Sequence, residues 1–152
     1  MIRSIFPVLV LAIAACGVEV ADTERSTCST QPGPLMRPGW NCLSCHRSGG
    51  QAGEKLWSAG GTVYESADAD PCDGSPDVDV VFFDPNGVEI ERVTTNAAGN
   101  FFTATPLPEG FRVGVERDGR MAMMPIPPPA GSCNACHSDP PVGEALGRIR
   151  AP

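Results

Sequence analysis

Val78-Asp79-Val80-Val81-Phe82-Phe83, then Asp84-Pro85-Asn86-Gly87, then Val88-Glu89-Ile90-Glu91-Arg92-Val93 is the stretch that decides the fold. Its first run is rich in β-branched and aromatic residues, which suit a pleated, partly buried surface. The middle four residues form a turn with a mechanism, because proline pre-sets φ and glycine accepts a positive φ. The return run alternates, with Val88, Ile90 and Arg92 on one face. Two period-two runs joined by such a turn predict an antiparallel hairpin.

The same rhythm continues on both sides. Upstream, Gly61-Thr62-Val63-Tyr64-Glu65 opens the pattern. Downstream, Asn96-Ala97-Ala98-Gly99 turns into Asn100-Phe101-Phe102-Thr103, and Phe111-Arg112-Val113-Gly114-Val115-Glu116 alternates again. Asp118-Gly119 is a tight-hairpin signal leading into Arg120-Met121-Ala122-Met123-Met124. Short strands separated by turn signals predict a mainly β protein, an antiparallel β-sandwich over residues 59–127. Glycine (17) and proline (16) make up about a fifth of the 152 residues, below the share that marks a disordered chain.

Each flank of this section carries one copy of the same motif. Cys42-Leu43-Ser44-Cys45-His46 lies in a segment spanning 40–58, and Cys133-Asn134-Ala135-Cys136-His137 in one spanning 128–152. C-x-x-C-H is the attachment signature of c-type haem. Two thiols three positions apart add to the two vinyl groups of one porphyrin, and the next residue presents an imidazole to the iron. His46 and His137 are the chain's two histidines, and both stand in this position. The motifs therefore predict two haems c, held by Cys42, Cys45, His46, Cys133, Cys136 and His137. Other readings remain open at this stage. Four cysteines in two C-x-x-C pairs suit a closed tetrahedral zinc site, and two redox disulfides are a further option. Neither explains the histidines.

With both histidines assigned, bis-histidine ligation within one chain is excluded. His/Met ligation raises a haem's reduction potential and suits electron transfer. Met121 and Met123 lie on one face of the last strand and Met124 on the other. Met123 or Met124 is the expected distal ligand, against the plainer reading that these methionines pack on the sheet. Met36 stands six residues before Cys42, at a reach the sequence does not define; Lys55 is the chain's one lysine and a further candidate donor. Trp40 and Trp57 flank the first motif, either against a porphyrin or as ordinary core. No histidine is left to act as a distal acid–base group, so a peroxidase is not expected, nor any other enzyme.

The N-terminus reads as an export signal. Arg3 supplies the positive end, and residues 5–15 are almost wholly apolar, too few to span a bilayer that needs about 20. Ile13-Ala14-Ala15-Cys16 resembles a bacterial lipobox, which implies cleavage after residue 15 and acylation of Cys16. Several acyl chains anchor a protein stably where one does not. Residues 1–15 are thus expected to be a lipoprotein signal peptide and 16–39 a tether to a bacterial membrane, the outer membrane or cell surface being favoured. A plain signal peptide is the alternative. Export makes unpaired thiols unusual, and Cys28 and Cys72 are the cysteines left over. They predict a disulfide tying the tether to the middle section, with both left unpaired or paired to a partner as the other options. The formal net charge of −7 argues against nucleic acid or an anionic lipid surface as partners and is compatible with a basic redox protein. Asp68, Asp70, Asp73, Asp77 and Asp79 lack the register of a calcium loop and read as a solvated acidic segment.

Gly61-Thr62-Val63-Tyr64, Val78-Asp79-Val80-Val81 with its Asp84-Pro85-Asn86-Gly87 turn, and Thr95-Asn96-Ala97-Ala98-Gly99-Asn100-Phe101 together resemble a carboxypeptidase regulatory-like domain. The resemblance covers residues 60–125 and implies a transthyretin-like sandwich, often a non-catalytic binding or spacing module. With a C-x-x-C-H segment on either side, the chain is also similar to small exported dihaem cytochromes of bacteria. This implies electron transfer with a redox partner protein. A haem-based sensor of small ligands, or a haem-free interaction module stapled by its cysteine pairs, are the alternative functions.

Overall fold

A computed structural model describes residues 28–152. The export signal, Cys16 and the first part of the tether lie outside the described residues. Seven strands make the protein mainly β: β1 (Ala59–Tyr64), β2 (Asp79–Phe83), β3 (Glu89–Thr94), β4 (Asn100–Thr103), β5 (Arg112–Arg117), β6 (Arg120–Met123) and β7 (Ile149–Arg150). One sheet has the order β4-β1-β7 and the other β3-β2-β5-β6. Among the described residues the helical content is slight: a 3-10 turn at Cys42–Ser44 and the single-turn helix α1 (Cys133–Cys136). Among the described residues no helix is long and apolar enough to cross a membrane.

The expected turns form for the expected reasons. At the β2–β3 turn, the Asp84 carboxylate accepts from the backbone N–H groups of Asn86 and Val88, and Gly87 takes a φ of 86°. At the β3–β4 turn, Gly99 takes a φ of 71° and lies against the Val63 carbonyl, where a Cβ would come within 2.4 Å of the oxygen. Asp118 and Gly119 both have positive φ, the requirement of a two-residue hairpin whose twist matches its strands.

Both sheets contribute to one core. Ala59 and Val63 of β1 and Phe101 of β4 meet Val80 and Phe82 of β2 and Val115 of β5, with Phe111 beside them. Phe82 sits between the rings of Phe101 and Phe111, with centroids 6.4 and 6.2 Å away. Val81 points to the other face of β2 and is also fully buried. Its pairing partners there are Arg92 and Gly114. Gly114 in turn is crowded by the sulfurs of Met121 and Met123. Val88 is 63 % exposed, because the β2–β3 register slips between Phe82 and Phe83 and only Val93 of the return run packs on the core.

Two pairings on β1 depart from the antiparallel expectation, one of them an isolated parallel bridge between Gly60 and Ser132. Ile149–Arg150 joins β1 in parallel, with Val63 opposite Ile149 and Tyr64 opposite Arg150. Two residues are too few to show a periodic pattern, and the pairing spans most of the chain. The C-terminal segment thus closes the free edge of β1, and Ala151 donates its N–H to the Tyr64 carbonyl.

Candidate metal and cofactor site

Each C-x-x-C-H motif folds as a single helical turn. The His46 N–H donates to the Cys42 carbonyl at 3.0 Å, and the His137 N–H donates to the Cys133 carbonyl at 3.0 Å. Residues three and four apart share a face of such a turn, so both thiols and the imidazole of each motif leave the backbone on one side. Among the described residues no three His, Cys, Asp or Glu side chains gather around a metal-sized centre. All four motif cysteines are free thiols.

The two histidines are held alike. His46 Nδ1 lies 3.0 Å from the Lys55 carbonyl oxygen, and His137 Nδ1 lies 2.8 Å from that of Gly147. A carbonyl only accepts, so Nδ1 carries the proton and Nε2 keeps its lone pair. The loop after each motif bends back to make this possible. Ala52 donates to the Cys45 carbonyl in the first and Val142 to the Cys136 carbonyl in the second. Gly50 allows the first bend, since a Cβ there would lie 2.2 Å from the Cys45 oxygen. Lys55, singled out in the sequence for its ammonium, serves here through its carbonyl.

Both motifs dock on β1. Cys42 packs over Gly60, where an added Cβ would lie 3.2 Å from the Cys42 Cβ, and Cys133 packs over Gly61 at 3.0 Å. Consecutive Cα atoms are about 3.8 Å apart, so the leading cysteines of the two motifs attach at neighbouring positions of one strand. Burial pushes the Cys133 thiol up to about 12, and the nearby Cys42 adds to the effect. Burial likewise pushes Cys42 up to about 11, against a lowering backbone hydrogen bond. Both are therefore protonated thiols at neutral pH, which slows their oxidation.

The first motif borders a cleft open to solvent and lined by Met36, Arg37, Trp40, His46, Trp57 and Phe102 among others. Trp57 stacks on the His46 ring at 3.4 Å and on Phe102 at 4.2 Å. Arg37 lies over the Trp40 ring at 4.8 Å. Arg37 Nε and Trp40 Nε1 are buried donors, and Asn41 Oδ1 a buried acceptor, with no hydrogen-bond partner in the protein. Buried polar atoms of this kind call for a partner that the described residues do not supply. A smaller cavity beside His137 is lined by Gly39, Tyr64, Asp139 and Arg148. Arg148 is paired with Asp139 at 3.2 Å and lies over the Tyr64 ring at 4.9 Å.

The expected distal methionines sit elsewhere. Met121 and Met123 are on β6, at the edge of the four-stranded sheet, with their sulfurs over Gly114. Met124 follows the strand, its N–H donating to the Val113 carbonyl. Both motifs pack against the other sheet. Cys28 and Cys72 form a disulfide that ties the start of the described chain to the β1–β2 loop. Of the acidic segment, Asp79 lies on β2, where it accepts from Thr94 and Arg92.

Comparison with protein-family models, curated proteins and solved structures finds no match for this chain. What the chain does is therefore argued from its own residues. The positioning carbonyls of Lys55 and Gly147 had no sequence signal, because a backbone oxygen has no residue identity.

Proposed function

We propose that this chain is an exported c-type cytochrome that holds two haems covalently and passes electrons to a partner protein. One observation carries the reading: both motif histidines give Nδ1 to a backbone carbonyl and keep Nε2 free, each on the same turn as two unpaired thiols. That hydrogen bond fixes the tautomer and ring orientation a ligating histidine needs, and it raises the basicity of the ligating nitrogen. Structural disulfides give no reason for it, whereas a zinc-bound histidine would be held in the same way, so covalent haem is the deciding measurement.

The residues around the first motif fit the same group. Phe102 provides flat apolar surface, while Arg37 Nε and Trp40 Nε1 offer donors suited to carboxylates such as those a haem carries. Haem iron supplies one-electron chemistry when bound. The chain's part is to anchor it through Cys42, Cys45, Cys133 and Cys136, to ligate it through His46 and His137, and to hold the two sites together. Docking on consecutive residues of β1, which face opposite sides of the strand, ties both sites to one element.

In this reading the β section is a transthyretin-like sandwich of carboxypeptidase regulatory-like type that spaces and supports the sites. Acylated Cys16 holds the protein at a bacterial membrane, and the acidic surface meets a basic redox partner.

The test is to express the chain with a cytochrome c maturation system and measure covalent haem by denaturing mass spectrometry and haemochrome spectroscopy. Two haems per chain are expected, falling to one in Cys42→Ala/Cys45→Ala or Cys133→Ala/Cys136→Ala. A chain that carries zinc, or no covalent haem, would defeat the proposal.

A further inference from the structure

We propose that Met36 is the second axial ligand of the iron held by His46. This rests on the haem reading above. Met36 lines the same cleft as Cys42, Cys45 and His46, whereas the β6 methionines lie on the other sheet. Among the other side chains in that cleft, Trp40 Nε1 and the Arg37 guanidinium are donors without a usable lone pair. The amide oxygens of Asn41 and Asn100 and the Ser44 hydroxyl are hard donors, less suited to haem iron than a soft thioether. Met36 supplies that thioether.

The backbone around Met36 is held more firmly than a tether requires. Asn100 Nδ2 donates to the carbonyls of Met36 at 3.0 Å and Pro34 at 3.2 Å, and Asn96 Nδ2 donates to Pro34 at 2.7 Å. The Met36 N–H donates to Gly33, and the Arg37 N–H to Ser29. The Gly39 N–H donates to Thr62 Oγ1 at 2.8 Å. Arg37 takes a φ of 48°, turning the chain sharply just after Met36. The Cys28–Cys72 disulfide staples the base of the strap. Yet Met36 belongs to no part of the hydrophobic core. A strap pinned at both ends thus holds Met36 at the cleft, and the three rotatable bonds of its side chain let the sulfur adjust to a metal.

The cavity beside His137 has no methionine among its lining residues. The two irons are therefore inequivalent, the His46 site having the His/Met pair that raises reduction potential.

The experiment compares the holoprotein with Met36→Ala, Met36→His and Met123→Ala by redox titration, magnetic circular dichroism and proton NMR of the ferrous state. The expected result is loss in Met36→Ala of one upfield-shifted methionine methyl resonance, with a fall in one midpoint potential and no change in the other. Met36→His restores a six-coordinate spectrum at a lower potential, and Met123→Ala matches the wild type. Unchanged spectra and potentials in Met36→Ala, or their change in Met123→Ala instead, overturn the assignment while leaving the haem reading intact. Absence of covalent haem in the wild type overturns both, and is seen before Met36 is altered.

Discussion

Asn134, inside the second motif, donates from Nδ2 to the backbone carbonyl of Trp40, two residues ahead of the first motif, at 2.9 Å. The same side chain accepts the Thr62 N–H at 3.1 Å and donates to Thr62 Oγ1 at 3.2 Å. It is 3 % exposed. One amide thus joins both motifs through β1 across 94 residues of sequence. Replacing it by alanine removes the side-chain acceptor of the buried Thr62 N–H and leaves the Trp40 carbonyl only the weak Cys42 thiol donor at 3.5 Å. Each unsatisfied buried group costs about 1–3 kcal/mol. Asn134→Ala is expected to lower unfolding free energy by about 2–4 kcal/mol, read from urea melts. A loss under half a kilocalorie, ~0.5 kcal/mol, would mean the network does not hold the motifs.

The two β1 glycines should differ in their response to a methyl group. At Gly61 a Cβ would lie 2.8 Å from the Phe101 ring and 3.0 Å from the Cys133 Cβ, so core and second motif must both move. At Gly60 the nearest contacts are 3.2 Å to Cys42 and 3.4 Å to the Phe101 carbonyl. Overpacking a well-filled interior costs about 1–3 kcal/mol. Gly61→Ala is expected in that range and Gly60→Ala below it, with attachment at Cys133 reduced in the first. Equal melting temperatures for the two variants would contradict the packing described.

The Cys28–Cys72 bond closes a loop with a sequence separation of 44, and the strap and first motif lie inside it. Loop-closure entropy for a ring of this size amounts to about 4 kcal/mol. Cys28→Ser/Cys72→Ser is expected to lose roughly 2–4 kcal/mol and to raise hydrogen exchange at Met36, Arg37 and Gly39, whose amides are bonded in the strap. Exchange unchanged at those amides would show the strap to be held by Asn96, Asn100 and Thr62 alone.

Acid should destabilise the four-stranded sheet through named carboxylates. Asp79 is held below its ordinary value of 3.8 by the Thr94 hydroxyl and then by Arg92, with burial opposing. Arg92 also pairs with Glu89 and Glu116 at 3.0 Å each, so one guanidinium ties β2, β3 and β5. Glu65 is held below 4.5 by the Ser75 hydroxyl and Arg117. A depressed folded value means the unfolded chain binds more protons, so stability rises with pH through this range. This contribution is complete above the ordinary carboxylate values and is lost as pH falls through the lower folded ones. Urea midpoints are expected to be flat above about pH 5 and to fall below about pH 4. Asp79→Asn should show a shallower fall; a fall as steep as the wild type's would place the acid-sensitive groups elsewhere.

Much of this protein was legible locally. The runs at 78–83, 100–103, 111–116 and 120–124 lie within a residue or two of β2, β4, β5 and β6, because strand alternation and the chemistry of Gly87, Gly99 and Gly119 act over a few neighbours. Ile149–Arg150 escaped notice because a two-residue strand carries no period. At the site, sequence named the thiols and imidazoles but not the carbonyls of Lys55 and Gly147, nor the Trp57 stack on His46.

By itself the sequence determined the β-rich centre, the two C-x-x-C-H turns and the residue types available as ligands, since all three depend on composition and short spacings. Only the tertiary structure decided that both motifs dock on Gly60 and Gly61, that each His Nδ1 meets a carbonyl, and that Met36, not a β6 methionine, shares the cleft with His46. The physical reason is that these relations join distant parts of the chain, often through backbone atoms common to every residue. They come into being only when two sheets close over a shared core.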